Sequence, residues 1–214
     1  EYSSHALGLL KSNAHIQKQI KLLTDPVQPV RAITAWALGE IGDPVASPAL
    51  LAAAKKHKED WETSRNAVIS MGQLDYQEAA AWMRGVAPQK FKISYEVRKA
   101  CTWSLGELRD KQAVNMLCGR IRDINPMTGE GLTLRFEAAV ALGKIGRNHA
   151  LDKGSERTAT GTLSRFMKRD EEPNSMKYAC RWAMEQILNE TVDYEIKPYP
   201  PSEKFYFINH IKKR

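Results

Sequence analysis

The chain has 214 residues, a formal charge of +7 at pH 7 and a pI near 9.3, with 43% hydrophobic residues. No apolar run reaches the roughly 18 residues of a membrane-spanning helix, and the positive balance favours acidic proteins, phosphates or anionic lipid surfaces as partners. Cys101, Cys118 and Cys180 lie far apart, form no C-x-x-C pair and are odd in number, which excludes zinc ribbons, thioredoxin-like chemistry and a disulfide framework.

The chain opens at Glu1, without methionine and without a signal-peptide pattern, so a soluble chain that is processed or part of a longer protein is expected, its compartment open. A first helix ends in ALGLLKS around Gly8, and Ile16, Ile20 and Leu23 mark a second. An end repeat normally needs a polar cap, so upstream sequence or a partner is expected to cover the first helix.

The next segment sets the pattern. Val30, Ile33, Thr34, Ala37, Leu38 and Ile41 share one helical face; Asp43 and Pro44 then form an N-cap and first position for a helix carrying Ala46, Leu50 and Ala54. Copies follow at SMGQLDY (Gly72), SLGELRD (Gly106) and ALGKIGR (Gly143), with AMEQILN placing Glu185 at the glycine position. Later second helices carry Ala113, Leu117 and Ile121, then Ala159, Leu163 and Met167. A unit of 31 to 34 residues, with later insertions, repeated in register is a helical hairpin that buries its apolar side only by stacking on its neighbours. The segments 85–95, 123–133 and 147–158 hold Gly, Pro, Asn and Asp and are expected to project as loops. From 190 the repeat stops: Pro198, Pro200 and Pro201 forbid a helix, and Tyr199, Phe205, Tyr206 and Phe207 are too apolar for water, so this tail caps the last repeat or, the favoured reading, docks on another subunit.

Equivalent positions of the repeat decide what single residues mean. Thr34 shares its column with Ser3, Ala67, Cys101, Ala138 and Cys180, all small, which reads as close helix contact and makes the thiols core residues. Trp36 aligns with His5, Ile69, Trp103, Val140 and Trp182, and this mixture favours packing between successive helices over an aromatic ladder for bases. Arg31 aligns with Ser64, Arg98, Arg135 and Lys177, and a ladder from these cations to the turn acids Asp43, Asp75 and Asp110 is expected. The cations closing the second helices differ, since two or three per helix exceed what a helix C-terminus explains. Lys55, Lys56 and Lys58, Lys90 and Lys92, Arg120 and Arg122, and Arg165, Lys168 and Arg169 are therefore expected to line one edge that binds a partner.

The pattern V-R-x-x-x-x-W-A-L-G-E-I-G-D-P resembles the HEAT-like repeats of the bilin-lyase type. VRAITAWALGEIGDP (30–44), VRKACTWSLGELRD (97–110) and LRFEAAVALGKIG (134–146) carry the resemblance. It implies an all-α, right-handed superhelix of about six hairpins over residues 1–189, followed by the irregular tail 190–214, and leaves function open.

No catalytic cluster emerges. His5, His15, His57, His149 and His210 share no column or ligand spacing, and Phe136 stands before Glu137 where a HEAT-like metal oxygenase resembling the deoxyhypusine hydroxylases would carry histidine. Neither a metal nor a cofactor is expected. A HEAT-like DNA glycosylase would use Trp61 and Trp82 with Asp60 or Asp75; a bilin-lyase-like protein would need an apolar cleft for a tetrapyrrole. The reading preferred over both is a non-catalytic scaffold or adaptor that holds an acidic-surfaced protein in a multi-subunit assembly, nucleic acid being the less favoured partner.

Overall fold

The computed structural model describes residues 2–13, 15–56, 60–124 and 131–196, and its regular elements are all helical. First helices of the repeats are α1 (Tyr2–Leu9), α3 (Gln28–Ile41), α5 (Trp61–Gln73), α7 (Tyr95–Glu107), α9 (Leu132–Gly146) and α11 (Asn174–Leu188). Second helices are α2 (Ile16–Leu22), α4 (Ser47–Ala54), α6 (Ala80–Val86), α8 (Val114–Arg122) and α10 (Lys153–Met167). The sixth copy is α11 alone among the described residues, so five hairpins and a closing helix stand where six hairpins were expected. The fold is an α-solenoid.

Side-chain N-caps start α5, α10 and the turn before α4, and two of these starts differ from expectation. Asp43 accepts from the Val45 amide at 3.0 Å, so it caps a 3-10 turn, Pro44–Ala46, that leads into α4. The segment 147–158 is a loop only to Asp152, whose carboxylate takes the Gly154 and Ser155 amides at 2.9 and 3.0 Å and starts α10 at Lys153. Most first helices stop on a left-handed residue: Lys11, Gly42, Asp75, Arg109, Asn148 and Asn189 have φ between 49° and 82°. Glycine suits only one of these at no cost.

The chain forms two compact units, Glu1–Asp110 and Lys111–Arg214. In the first unit, α1, α3, α5 and α7 pack side by side in sequence, with α2, α4 and α6 against α3, α5 and α7. Leu38, Leu50, Met71, Met83 and Leu105 are wholly buried there, each removing apolar surface worth about 1.5–3 kcal/mol. In the second unit α9 packs on α8 and α11, and α10 packs on α8 and α11 around Leu117, Leu142, Leu163 and Phe166.

The glycine column works with the tryptophan column one repeat on. A Cβ at Gly8 would meet Trp36 at 2.9 Å, one at Gly72 would meet Trp103 at 3.0 Å, and one at Gly143 would meet Trp182 at 2.7 Å. Each indole therefore lies against the bare backbone of the preceding repeat. Where Ile69 replaces tryptophan, the space over Gly39 is taken by Ser70, whose hydroxyl donates to the Ala35 carbonyl at 2.7 Å. Ser104 repeats that bond to Val68 at 2.9 Å. Both rungs, with the Asn66 amide donating to the Ala32 carbonyl at 2.8 Å, fix α3, α5 and α7 in parallel register.

Glu185 sits in the glycine column because a different neighbour covers it. Residues 191–196 run over α11 without regular structure, with Val192 and Tyr194 half-buried and Ile196 buried. Arg181 donates to the Tyr194 carbonyl at 3.3 Å and to Glu185 at 3.0 Å, and Glu185 accepts the Val192 amide at 3.4 Å.

Candidate cationic interface

Four residues of the Arg31 column bond inside the repeat, while Arg98 is buried with its guanidinium 5.7 Å from the Tyr95 ring centre. Arg31 donates through Nη1 to the Asp25 carbonyl at 2.7 Å and through Nε to Asp60 at 2.7 Å. Arg135 donates through Nε to the Ile121 carbonyl at 3.0 Å and through Nη2 to Glu172 at 2.6 Å, with its guanidinium 5.3 Å from the Phe166 ring centre. Ser64 donates to the Ala54 carbonyl at 2.8 Å, and Lys177 reaches the Asp170 carbonyl at 3.4 Å. Each of these four thus satisfies a carbonyl left unpaired at or beyond the end of a second helix, while Arg31 and Arg135 also reach an acid just before the next repeat. The acids are Asp60 and Glu172, correcting the expected Asp43, Asp75 and Asp110. Asp43 and Asp75 serve local turns, and Asp110 holds Arg84.

Asp60 is equally committed. Burial would raise its carboxyl pKa, but hydrogen bonds from Thr63 and Arg31 outweigh that and hold it below the ordinary carboxylate range. It caps α5 and is 7% exposed, so it is not presented to a flipped nucleotide beside Trp61. Burial pushes all three thiols upward, Cys118 less so because Thr162 and the Arg122 charge oppose the effect. His5 packs tilted against Trp36 with ring centres 5.2 Å apart, and no group of three His, Cys, Asp or Glu suited to a metal occurs among the described residues.

The cations closing the second helices have another fate. Lys55 is the C-cap of α4 and Lys56 follows it, both exposed; Lys90 is half-buried and Lys92 exposed on the connection from α6 to α7. In the second unit Arg120 and Arg122 occupy the last turn of α8, and Arg165 the last turn of α10 with Lys168 as its C-cap. Arg122, Arg165 and Lys168 are exposed, Arg120 is half-buried, and Arg169 pairs with Glu171 at 3.0 Å. Lys58 and the tail residues Tyr199, Phe205, Tyr206 and Phe207 lie outside the described residues.

Sequence reasoning missed the apolar companions of these cations. Val27, Trp61 and Phe91 are 52%, 42% and 86% exposed, each at a connection from a second helix to the next first helix. The signal was available: large side chains interrupt polar connections, as in Lys90, Phe91, Lys92.

Comparison with known proteins agrees with this architecture. The description "HEAT repeats" matches residues 16–91 and 56–128. No curated protein matches the sequence. Among solved structures, the complex of CpcE and CpcF of phycocyanin lyase from Nostoc sp. PCC7120 is similar with a TM-score of 0.66 and 23% identity, over 84% of this chain and 67% of that one. An engineered protein from the Northeast Structural Genomics Consortium gives 0.60 and 15%, over 88% and 90%. A designed armadillo repeat protein gives 0.54 and 16%, over 87% and 92%. At these identities the likeness is one of fold, while the matched repeats span more than half of the sequence: the chain belongs to the HEAT repeat family.

Proposed function

We propose that this protein is a non-catalytic scaffold or adaptor that holds an acidic-surfaced protein partner within a larger assembly. The observation that carries the reading is the division among its cations. Arg31 and Arg135 are spent on the repeat itself, whereas Arg122, Arg165 and Lys168, with Lys55, Lys56 and Lys92, stand exposed at the ends of second helices or just beyond them. Guanidinium groups suit carboxylate partners, because their fork matches a carboxylate in two directions, and the second unit supplies them. Lys58 and the aromatic tail extend the same reading. The similar solved structure is itself a complex of two proteins, which supports a protein partner.

The test is affinity purification of the full chain beside a chain lacking residues 197–214 and one with Arg122, Arg165 and Lys168 changed to Gln. A partner lost from both with helical signal intact supports the scaffold. A partner kept by both overturns it, and loss of the helical signal on truncation assigns the tail to capping.

A bilin-lyase-like role is the second reading, supported by the likeness to the phycocyanin lyase complex. Mixing with free bilin tests it: an absorbance shift supports pigment handling, and an unchanged spectrum removes it.

A further inference from the structure

We propose that the loop rim of the first unit docks on an anionic lipid bilayer. This goes beyond the protein-binding reading, giving Lys55, Lys56 and Lys92 to the lipid surface and leaving the arginines of the second unit to the protein partner, and it stands without that reading.

The register places the components. Hydroxyl rungs hold α3, α5 and α7 parallel, and Gln28 at the start of α3 donates to Glu62 at the start of α5, so their N-terminal ends share one side of the unit. Neighbouring packed helices stand about 8–10 Å apart. Val27, Trp61 and Phe91 occur one per connection along this side, each exposed by more than two fifths. Among the described residues, the cations on the connections bearing Trp61 and Phe91 are Lys55, Lys56, Lys90 and Lys92. Of the described carboxylates on this side, Asp60 turns inward to Arg31, Glu96 pairs with Lys99 at 2.9 Å, and Asp25 and Glu62 are half-buried and taken by the Val27 amide and the Gln28 side chain.

Phe91 is held outward by its loop. Val86, Ala87 and Ile93 are buried on either side of it, the Gln89 amide donates to the Val86 carbonyl at 3.0 Å and the Ile93 amide to the Gln89 carbonyl at 3.3 Å. At the tip, Phe91 adopts φ 65°, a backbone a bulky residue rarely takes. A fixed loop thereby presents a phenyl ring between two lysines, 86% exposed.

The residue types choose between a protein and a lipid surface. Lysine is depleted in protein interfaces. Its hydrated ammonium on a long apolar stem suits headgroups, where no fixed geometry is required, and tryptophan places an apolar body and a polar N–H at the same boundary. Each lysine near an anionic leaflet contributes a small attraction, and phenyl burial adds an apolar one.

The experiment is co-sedimentation of the full chain with vesicles of phosphatidylcholine alone and of phosphatidylcholine mixed with phosphatidylglycerol, at low and raised salt. Binding is expected to the mixed vesicles only, weakening with salt, with a blue shift of tryptophan emission that Trp61→Phe reduces. Phe91→Ala is expected to weaken binding about tenfold, and Lys92→Gln about fivefold. Arg157→Gln, at an exposed position of α10 in the other unit, is expected to leave it unchanged. Circular dichroism verifies that the variants stay folded. No binding to mixed vesicles overturns the proposal, as does wild-type binding by Phe91→Ala or an equal loss in Arg157→Gln. A partner protein lost from Phe91→Ala with vesicle binding retained assigns the rim to protein contact, and so overturns it too.

Discussion

The indole of Trp182 lies so close to Gly143 that a Cβ added there would come within 2.7 Å of its ring and 2.9 Å of the Ala183 backbone. One repeat thereby constrains the sequence of another 39 residues away. Gly143→Ala is expected to destabilise the second unit by about 1–3 kcal/mol, the usual cost of overfilling a packed contact. Denaturant titration measures it. Gly161→Ala is the control, since nothing lies within 4 Å of its added Cβ and it sits on an exposed helix face; there the change should stabilise by a few tenths of a kcal/mol to about 1 kcal/mol.

Arg135 and Glu172 form a pair whose side chains are 8% and 5% exposed. Removing one partner leaves a buried charge, so Arg135→Met is expected to cost about 3–5 kcal/mol. The double change Arg135→Met with Glu172→Leu is expected to recover most of that. The protein already contains such a replacement, with Ser64 in the arginine column and Ile93 at the equivalent of Glu172. Thermal unfolding of the two variants decides the point, and equal loss in both would place the stabilisation elsewhere.

Asp60 gives the first unit an acid-dependent contribution. Its carboxyl is held below its unfolded value by Thr63 and Arg31, so the stabilisation is present above the unfolded pKa near 4 and fades as pH falls through the lower folded value. Stability followed from pH 6 to pH 2 in Asp60→Asn is expected to show a shallower acid slope than the parent. A slope identical to the parent would contradict the assignment.

Arg109 ends α7 at φ 51°, where a Cβ is unfavourable. Arg109→Gly is expected to stabilise the first unit by about 0.5–1 kcal/mol, read as a higher denaturation midpoint. Gly42→Ala, at φ 82°, is expected to do the reverse.

The buried thiols of Cys101 and Cys180 are pushed upward by desolvation. Alkylation at pH 8 is therefore expected to be slow in the native protein and rapid in denaturant, with mass spectrometry counting labels. Labelling of either at the native state with a rate like that of free thiol would require an opening of the repeat.

The periodic positions were legible because burial and backbone geometry act on every copy alike: the Gly39 column, the small column of Thr34 and the helix faces all repeat with the fold. The partners of Arg31 and Arg135 were harder, since Asp60 and Glu172 stand ahead of the next first helix and only packing brings them near. The start of α10 was missed because Asp152 and Gly154 carry loop chemistry in sequence, while two amide bonds turn that carboxylate into a cap. The edge cations were readable as a cluster of charge. Their apolar companions Val27, Trp61 and Phe91 were not, because exposure is set by which side of a connection faces the core.

Glu185 has a consequence for how such an array changes length. A carboxylate gripping Val192 occupies the floor on which a following tryptophan would rest, so an extra hairpin inserted after α11 would meet charge in place of bare backbone. Duplication ahead of α11 would leave Glu185 in place and seat new copies on bare backbone such as that of Gly143, making the interior the place where new copies can be admitted.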